Sequence, residues 1–152
     1  MTRRQKLSAF LGALGMAVLG RSDVAHADQT AVDLLIGQFA GGKKPIEDRM
    51  TLDLPAETDD GGAVQITVSV DIPTRENTHL TDLLVVTSGN AQPTIVTFHF
   101  SPTSVAEAST RIRLAKPRPS PEKHSVTAVA RLSDGTCYKI KRDVTVKEAG
   151  CI

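Results

Sequence analysis

The 152-residue chain has no Trp, one Tyr and four Phe, so aromatics make up 3% of it. Proteins that grip nucleic acid need stacking rings and a surplus of cations, and a formal net charge of +1 supplies no such surplus. These shortages exclude a dedicated nucleic-acid binder. Cysteine is scarce as well, with only Cys137 and Cys151. Two thiols build neither a disulfide-dense scaffold nor a four-thiolate zinc site. No G-x-S-x-G, H-E-x-x-H, Walker or C-x-x-C pattern occurs, so hydrolytic and metal-dependent catalysis have no visible apparatus. His79, His99 and His124 fall on different expected elements, without ligand spacing among them. His99, between Phe98 and Phe100, reads as a rim histidine before it reads as a ligand. No resident cofactor, no metal site and no enzyme activity of its own are expected. Apolar residues are not lacking: 40% hydrophobic and 23% charged is ordinary for a globular chain of one domain.

Long hydrophobic runs are also missing, and the longest has a different use. Met1 to Lys6 is positively charged, and Leu7 to Leu19 is apolar. At about 1.5 Å per residue that run gives a helix of roughly 20 Å, short of the ~30 Å of a bilayer core. Ala25-His26-Ala27 follows, the small-x-small pattern cut by signal peptidases. Residues 1–27 therefore read as an export signal, which makes Asp28 the mature N-terminus. Thr2-Arg3-Arg4 resembles a twin-arginine signal, with Lys6 in place of the usual apolar residue. Cleavage removes Arg3, Arg4, Lys6 and Arg21 against Asp23 alone, so the formal charge falls from +1 to −2. After cleavage no further membrane span is expected, and the product is expected to be soluble outside the cytoplasm.

What is present is a helix followed by strands. Thr30 is placed to cap a helix with Ala31, Leu34, Leu35 and Phe39 on its apolar face, ended by Gly41-Gly42. The period then becomes two. Met50–Leu54, Val64–Val70, Leu80–Thr87, Ile95–Phe100, Ala108–Leu114, Val126–Leu132 and Cys137–Val146 read as seven strands. Leu80–Thr87 is a more continuous apolar run than the others, as expected for a strand buried on both sides. Ser133-Asp134-Gly135 turns one strand into the next. The fold class is all-β, an immunoglobulin-like antiparallel sandwich behind a short N-terminal helix. It occupies 28–146, with 147–152 as a flexible arm. Lys116 to Pro121 is a stiff, solvated loop, and Arg111 and Arg113 share one strand face.

Cys151 stands next to the last residue of the sequence, five residues beyond Val146. That gives the thiol a reach of at most about 17 Å from the last strand, and Gly150 loosens the approach. A thiolate on such a tether can enter another protein's active site and form persulfide or mixed-disulfide adducts. The neighbouring terminal carboxylate opposes ionisation, with Lys147 as a partial offset, so activation falls to the partner. Three other readings compete: a Cys137–Cys151 disulfide, an intermolecular disulfide and an incidental thiol. The first is out of reach if the last strand runs unbroken, since nine steps of about 3.3 Å separate Cys137 from Val146. A break near Lys141-Arg142 would reopen it.

From Ala31 to Cys151 the chain resembles the SoxY family. The likeness is carried by Gly41-Gly42-Lys43-Lys44-Pro45, Leu52-Asp53-Leu54-Pro55 and Val64-Gln65-Ile66-Thr67-Val68-Ser69-Val70. It continues through Thr97-Phe98-His99-Phe100-Ser101-Pro102, Ser109-Thr110-Arg111-Ile112-Arg113-Leu114-Ala115, Ser133-Asp134-Gly135 and Val144-Thr145-Val146. The resemblance implies a periplasmic carrier that holds thiosulfate-derived sulfur covalently, pairs as a heterodimer with a SoxZ-like subunit and is served by sulfur-oxidising and sulfur-hydrolysing Sox enzymes. The family's carrier cysteine maps onto Cys151, and its flexible arm maps onto Gly150 and Ala149. The family tail reads Gly-Gly-Cys-Gly-Gly, whereas this one reads Ala149-Gly150-Cys151-Ile152 after Lys147-Glu148. Cys137 inherits no role and reads as a buried structural residue. The alternative from a different class is an immunoglobulin-like binding or assembly module with structural or dimerising cysteines.

Overall fold

The computed structural model describes residues 29–73, 77–115 and 122–147. The expected export signal, the Lys116–Pro121 loop and Ala149, Gly150 and Cys151 lie outside them.

Alternating sequence produces alternating burial. In Val64–Val70 every second side chain, from Val64 to Val70, is buried. This strand (β3) lies between Met50–Asp53 (β1) and Glu107–Ile112 (β6), antiparallel to both, in a three-stranded sheet. The second sheet has five strands. Its centre is Leu80–Thr87 (β4) and Glu122–Leu132 (β7), flanked by Thr94–His99 (β5) on one side and Cys137–Val146 (β8) on the other. A two-residue strand, Glu57–Thr58 (β2), adds to the outside of β8 in parallel. The two sheets close on one core that includes Leu52, Ile66, Val68, Leu83, Val85 and Val144. This is the immunoglobulin-like sandwich expected, with eight strands among the described residues instead of seven. The eighth was illegible because two polar residues carry no period; β2 is defined only by its pairing with β8.

Leu80–Thr87 is buried along nearly its whole length. One face points into the sandwich. The other is covered by the helix Gln29–Phe39 (α1), where Val32 and Ile36 pack on Leu84, Val86 and Val129. The expected apolar face of that helix is corrected. Leu34 is 64% exposed, and the buried stripe is Val32, Ile36 and Ala40. Both stripes have helical spacing, and periodicity alone does not choose between them. Nor is Thr30 the cap, since the helix already includes Gln29, whose side-chain amide donates to Asp33 (2.9 Å). The stop is as expected: Gly41 and Gly42 take φ of 63° and 78°, left-handed conformations natural to glycine. The 133–136 turn also forms, with Gly135 at φ 81° and the Thr136 amide donating to Asp134 Oδ1 (2.8 Å).

Candidate functional site

The described part of the site is the platform from which the C-terminal segment leaves. β8 runs unbroken from Cys137 to Val146, with each of its ten residues in register with β7. Its last inward-facing side chains are sunk in the core, Val144 and Val146 being fully buried. Gly61 packs against this strand end: a Cβ there would sit 3.1 Å from both the Leu114 carbonyl oxygen and Val146 Cγ1, so a larger residue would need these neighbours to shift by a few tenths of an ångström. The Leu114 amide donates back to the Gly61 carbonyl (2.8 Å). Beyond Val146 the Lys147 amide donates to the Thr58 carbonyl (2.9 Å), and its ammonium meets Glu57 Oε2 at 2.5 Å. That hydrogen bond, with the charge of Glu57, raises the Lys147 pKa. The cation expected to offset the terminal carboxylate beside Cys151 is thus already engaged by Glu57. Four residue steps separate Lys147 from Cys151, a reach of at most about 14 Å.

Cys137 is buried at the opposite end of β8, and burial pushes its thiol pKa up. An unbroken strand of nine steps places it about 30 Å from Val146. The break near Lys141-Arg142 that would reopen a Cys137–Cys151 disulfide does not occur, since β8 pairs with β7 along its whole length.

The histidines are dispersed, as expected. His99 sits on the rim, 78% exposed, and its Nδ1–H donates to Asp82 Oδ1 (2.6 Å). Asp82 Oδ2 accepts from Arg131 Nη2 (2.6 Å) and Nε (3.1 Å), and Arg131 also donates to the Phe39 carbonyl (3.2 Å) and lies over the Phe39 ring. Burial raises the Asp82 pKa, but hydrogen bonds from Arg131, His99 and Thr81 outweigh it and hold the carboxyl below its usual value. This chain of contacts ties β5, β4 and β7 to the end of α1. Reading the sequence missed it, because the partners in its contacts lie 17, 49 and 92 residues apart and share no motif. His124 is fully buried, with its ring against Gly89, where a Cβ would overlap it. Among the described residues no group of three His, Cys, Asp or Glu side chains is placed to hold a metal.

Arg111 and Arg113 are both exposed while Ile112 between them is buried, so they share a face as expected. They line a groove of about 570 Å³ between β5 and β6, with Gln92, Ile95 and Val96. Asn90 fixes its wall by donating to the Arg113 carbonyl (2.9 Å) and accepting from the Ala115 amide (2.7 Å).

The family model for the sulfur oxidation protein SoxY matches residues 36–151, most of the chain and all of the sandwich beyond the start of the helix. The chain belongs to the SoxY family. Membership assigns it to sulfur oxidation, in a carrier family and not a catalytic one, as part of the Sox system. No curated protein matches the sequence. Among solved structures, superoxide reductase (neelaredoxin) from Ignicoccus hospitalis is similar with a TM-score of 0.54 at 11% identity, over 66% of this chain and 81% of that one. A single-substitution variant of the same reductase gives 0.54 at 12% identity, over 80% and 90%. Murine CRIg matches with a TM-score of 0.39 at 12% identity, over 68% of this chain and all of that one. At these identities the neelaredoxin likeness is one of fold. As a SoxY-family chain, the protein has no helix among its described residues long and apolar enough to cross a membrane.

Proposed function

We propose that this SoxY-family chain is a periplasmic covalent sulfur carrier that holds thiosulfate-derived intermediates on Cys151 and presents them to partner enzymes. The observation that carries the proposal is the platform: a strand end packed by Gly61, Leu114 and β2, followed five residues later by a cysteine. A rigid base and a short tether let the thiol enter a cleft while the body stays outside. Ala149 and Gly150 form the arm, and Ile152 and Glu148 make it bulkier and more charged than a glycine arm. The second cysteine is buried at the far end of β8, about 30 Å along the strand from Val146 and beyond the reach of the short tail, which supports a free Cys151 over an internal disulfide. In this reading residues 1–27 are the export signal, a SoxZ-like subunit pairs with the chain as a heterodimer, and sulfur-oxidising and sulfur-hydrolysing enzymes act on the carried group. The chain needs no cofactor of its own.

The test is the intact mass of the mature protein isolated from cells oxidising sulfur compounds. Wild type is expected to carry sulfur adducts removable by reductant, and Cys151→Ser to carry none. Adducts that persist in the Cys151→Ser protein would refute the assignment.

A further inference from the structure

The sandwich core is not closed on all sides. Six of the ten half-buried apolar residues packed against it lie along β5, β6 and the segment that joins them: Ile95, Val96 and Phe98 of β5, Phe100 just after it, Ala106 just before β6 and Ala108 within it. Beside them Val105 is 80% exposed. β5 and β6 are the terminal strands of their sheets, so no strand among the described residues covers this flank.

Sheet edges left open to water are blunted by charge, brevity, proline or a bulge. Three of the four edges follow this rule. β2 is two residues long, β1 is four residues with Asp53 at its end, and β6 carries Glu107 and Arg111. β5 differs. The bulge opposite Val85 and Val86 affects only its start, and from Val96 to His99 it has no Lys, Asp, Glu, Pro or register shift. Charge returns only at one end, where Arg111 and Arg113 line the groove beside Ile95 and Val96. Among the described residues neither guanidinium meets an acidic side chain.

We infer that the β5–β6 flank is the docking surface for a different protein subunit, which adds an extended strand to the edge of β5. That strand is apolar where it crosses Val96 to Phe100 and carries a carboxylate at the end that meets Arg111 and Arg113. Main-chain hydrogen bonds supply affinity, the half-buried apolar side chains gain cover, and the ion pairs set the direction of the strand. The inference rests on the heterodimer reading for the existence of a partner, and fixes where on this chain the partner sits.

The experiment takes the mature protein from the cells that make it, through size-exclusion chromatography with light scattering and intact mass. Wild type is expected as a one-to-one complex with a second kind of chain. Thr97→Lys and Val105→Asp, both at exposed positions, are expected to weaken that complex at least tenfold. Arg111→Glu with Arg113→Glu should do the same, more strongly at low salt. Lys141→Glu, on β8, should leave it intact. If Thr97→Lys fails to fold, Val105→Asp in the loop decides alone. A complex unaffected by these substitutions overturns the docking surface and leaves the heterodimer reading standing. A monomeric wild type overturns both. A homodimer broken by the same substitutions overturns the proposed occupant.

Discussion

Two positions show how single residues are constrained by neighbours far away in sequence. Gly89 faces the His124 ring with no room for a methyl group. Gly89→Ala is expected to lower stability by about 2–3 kcal/mol through overpacking, measured by chemical denaturation; a loss under about 0.5 kcal/mol would contradict the packing described. Asp82, only 13% exposed, has its carboxylate satisfied by Arg131 and His99. Its folded pKa lies below the ordinary carboxylate value, so the unfolded chain takes up the proton more readily. The resulting stability is full above about pH 4–5 and is lost as pH falls through the lower, folded value. Asp82→Asn is expected to cost about 2 kcal/mol at neutral pH and almost nothing in strong acid, so the two denaturation-versus-pH curves converge on the acid side. Parallel curves would show that the carboxylate charge is not what stabilises this contact.

Among the elements, α1 is the one whose placement the periodicity mistook. Leu34 and Val32 are both apolar, and helical spacing allows a stripe through either. The outer face of β4 and β7 selects Val32 and Ile36, because Leu84, Val86 and Val129 offer an apolar seat there. Ile36→Ala should therefore cost about 2–4 kcal/mol by leaving a cavity, whereas Leu34→Ala should stay within about 0.5 kcal/mol. Thermal melts of the two variants test the assignment, and the reverse order would restore the face read from the sequence. The strands were legible to within a few residues, since period-two burial is a local property of each segment. The main misjudgement was β7, which begins at Glu122, four residues before Val126, because Lys123 to Ser125 pair with β8 without adding apolar residues to the pattern.

For the whole molecule, the length of β8 puts Cys137 and the strand end from which the C-terminal segment leaves at opposite ends of one strand. The body buries Cys137 and pushes its pKa up, which slows alkylation. Native mature protein, reduced and then treated with iodoacetamide, is expected to label rapidly at Cys151 and at Cys137 only in denaturant. Mass spectrometry counts the labels, and equal native reactivity of both thiols would contradict the burial. The same long-range arrangement leaves the β5–β6 flank open at one side and the platform for the arm at the end of β8.

The sequence by itself determined the class of the fold, most of its strands, the dispersed histidines and the reach of Cys151 from the last strand. Each of these depends on neighbours within a few positions or on the length of covalent chain, which composition and spacing record directly. Only the tertiary structure decided which stripe of α1 is buried, that β2 clasps the end of β8, that Asp82 links His99 to Arg131, and which sheet edge goes unprotected. Those depend on contacts between residues tens of positions apart, and in each case at least two local patterns were equally acceptable until packing chose between them.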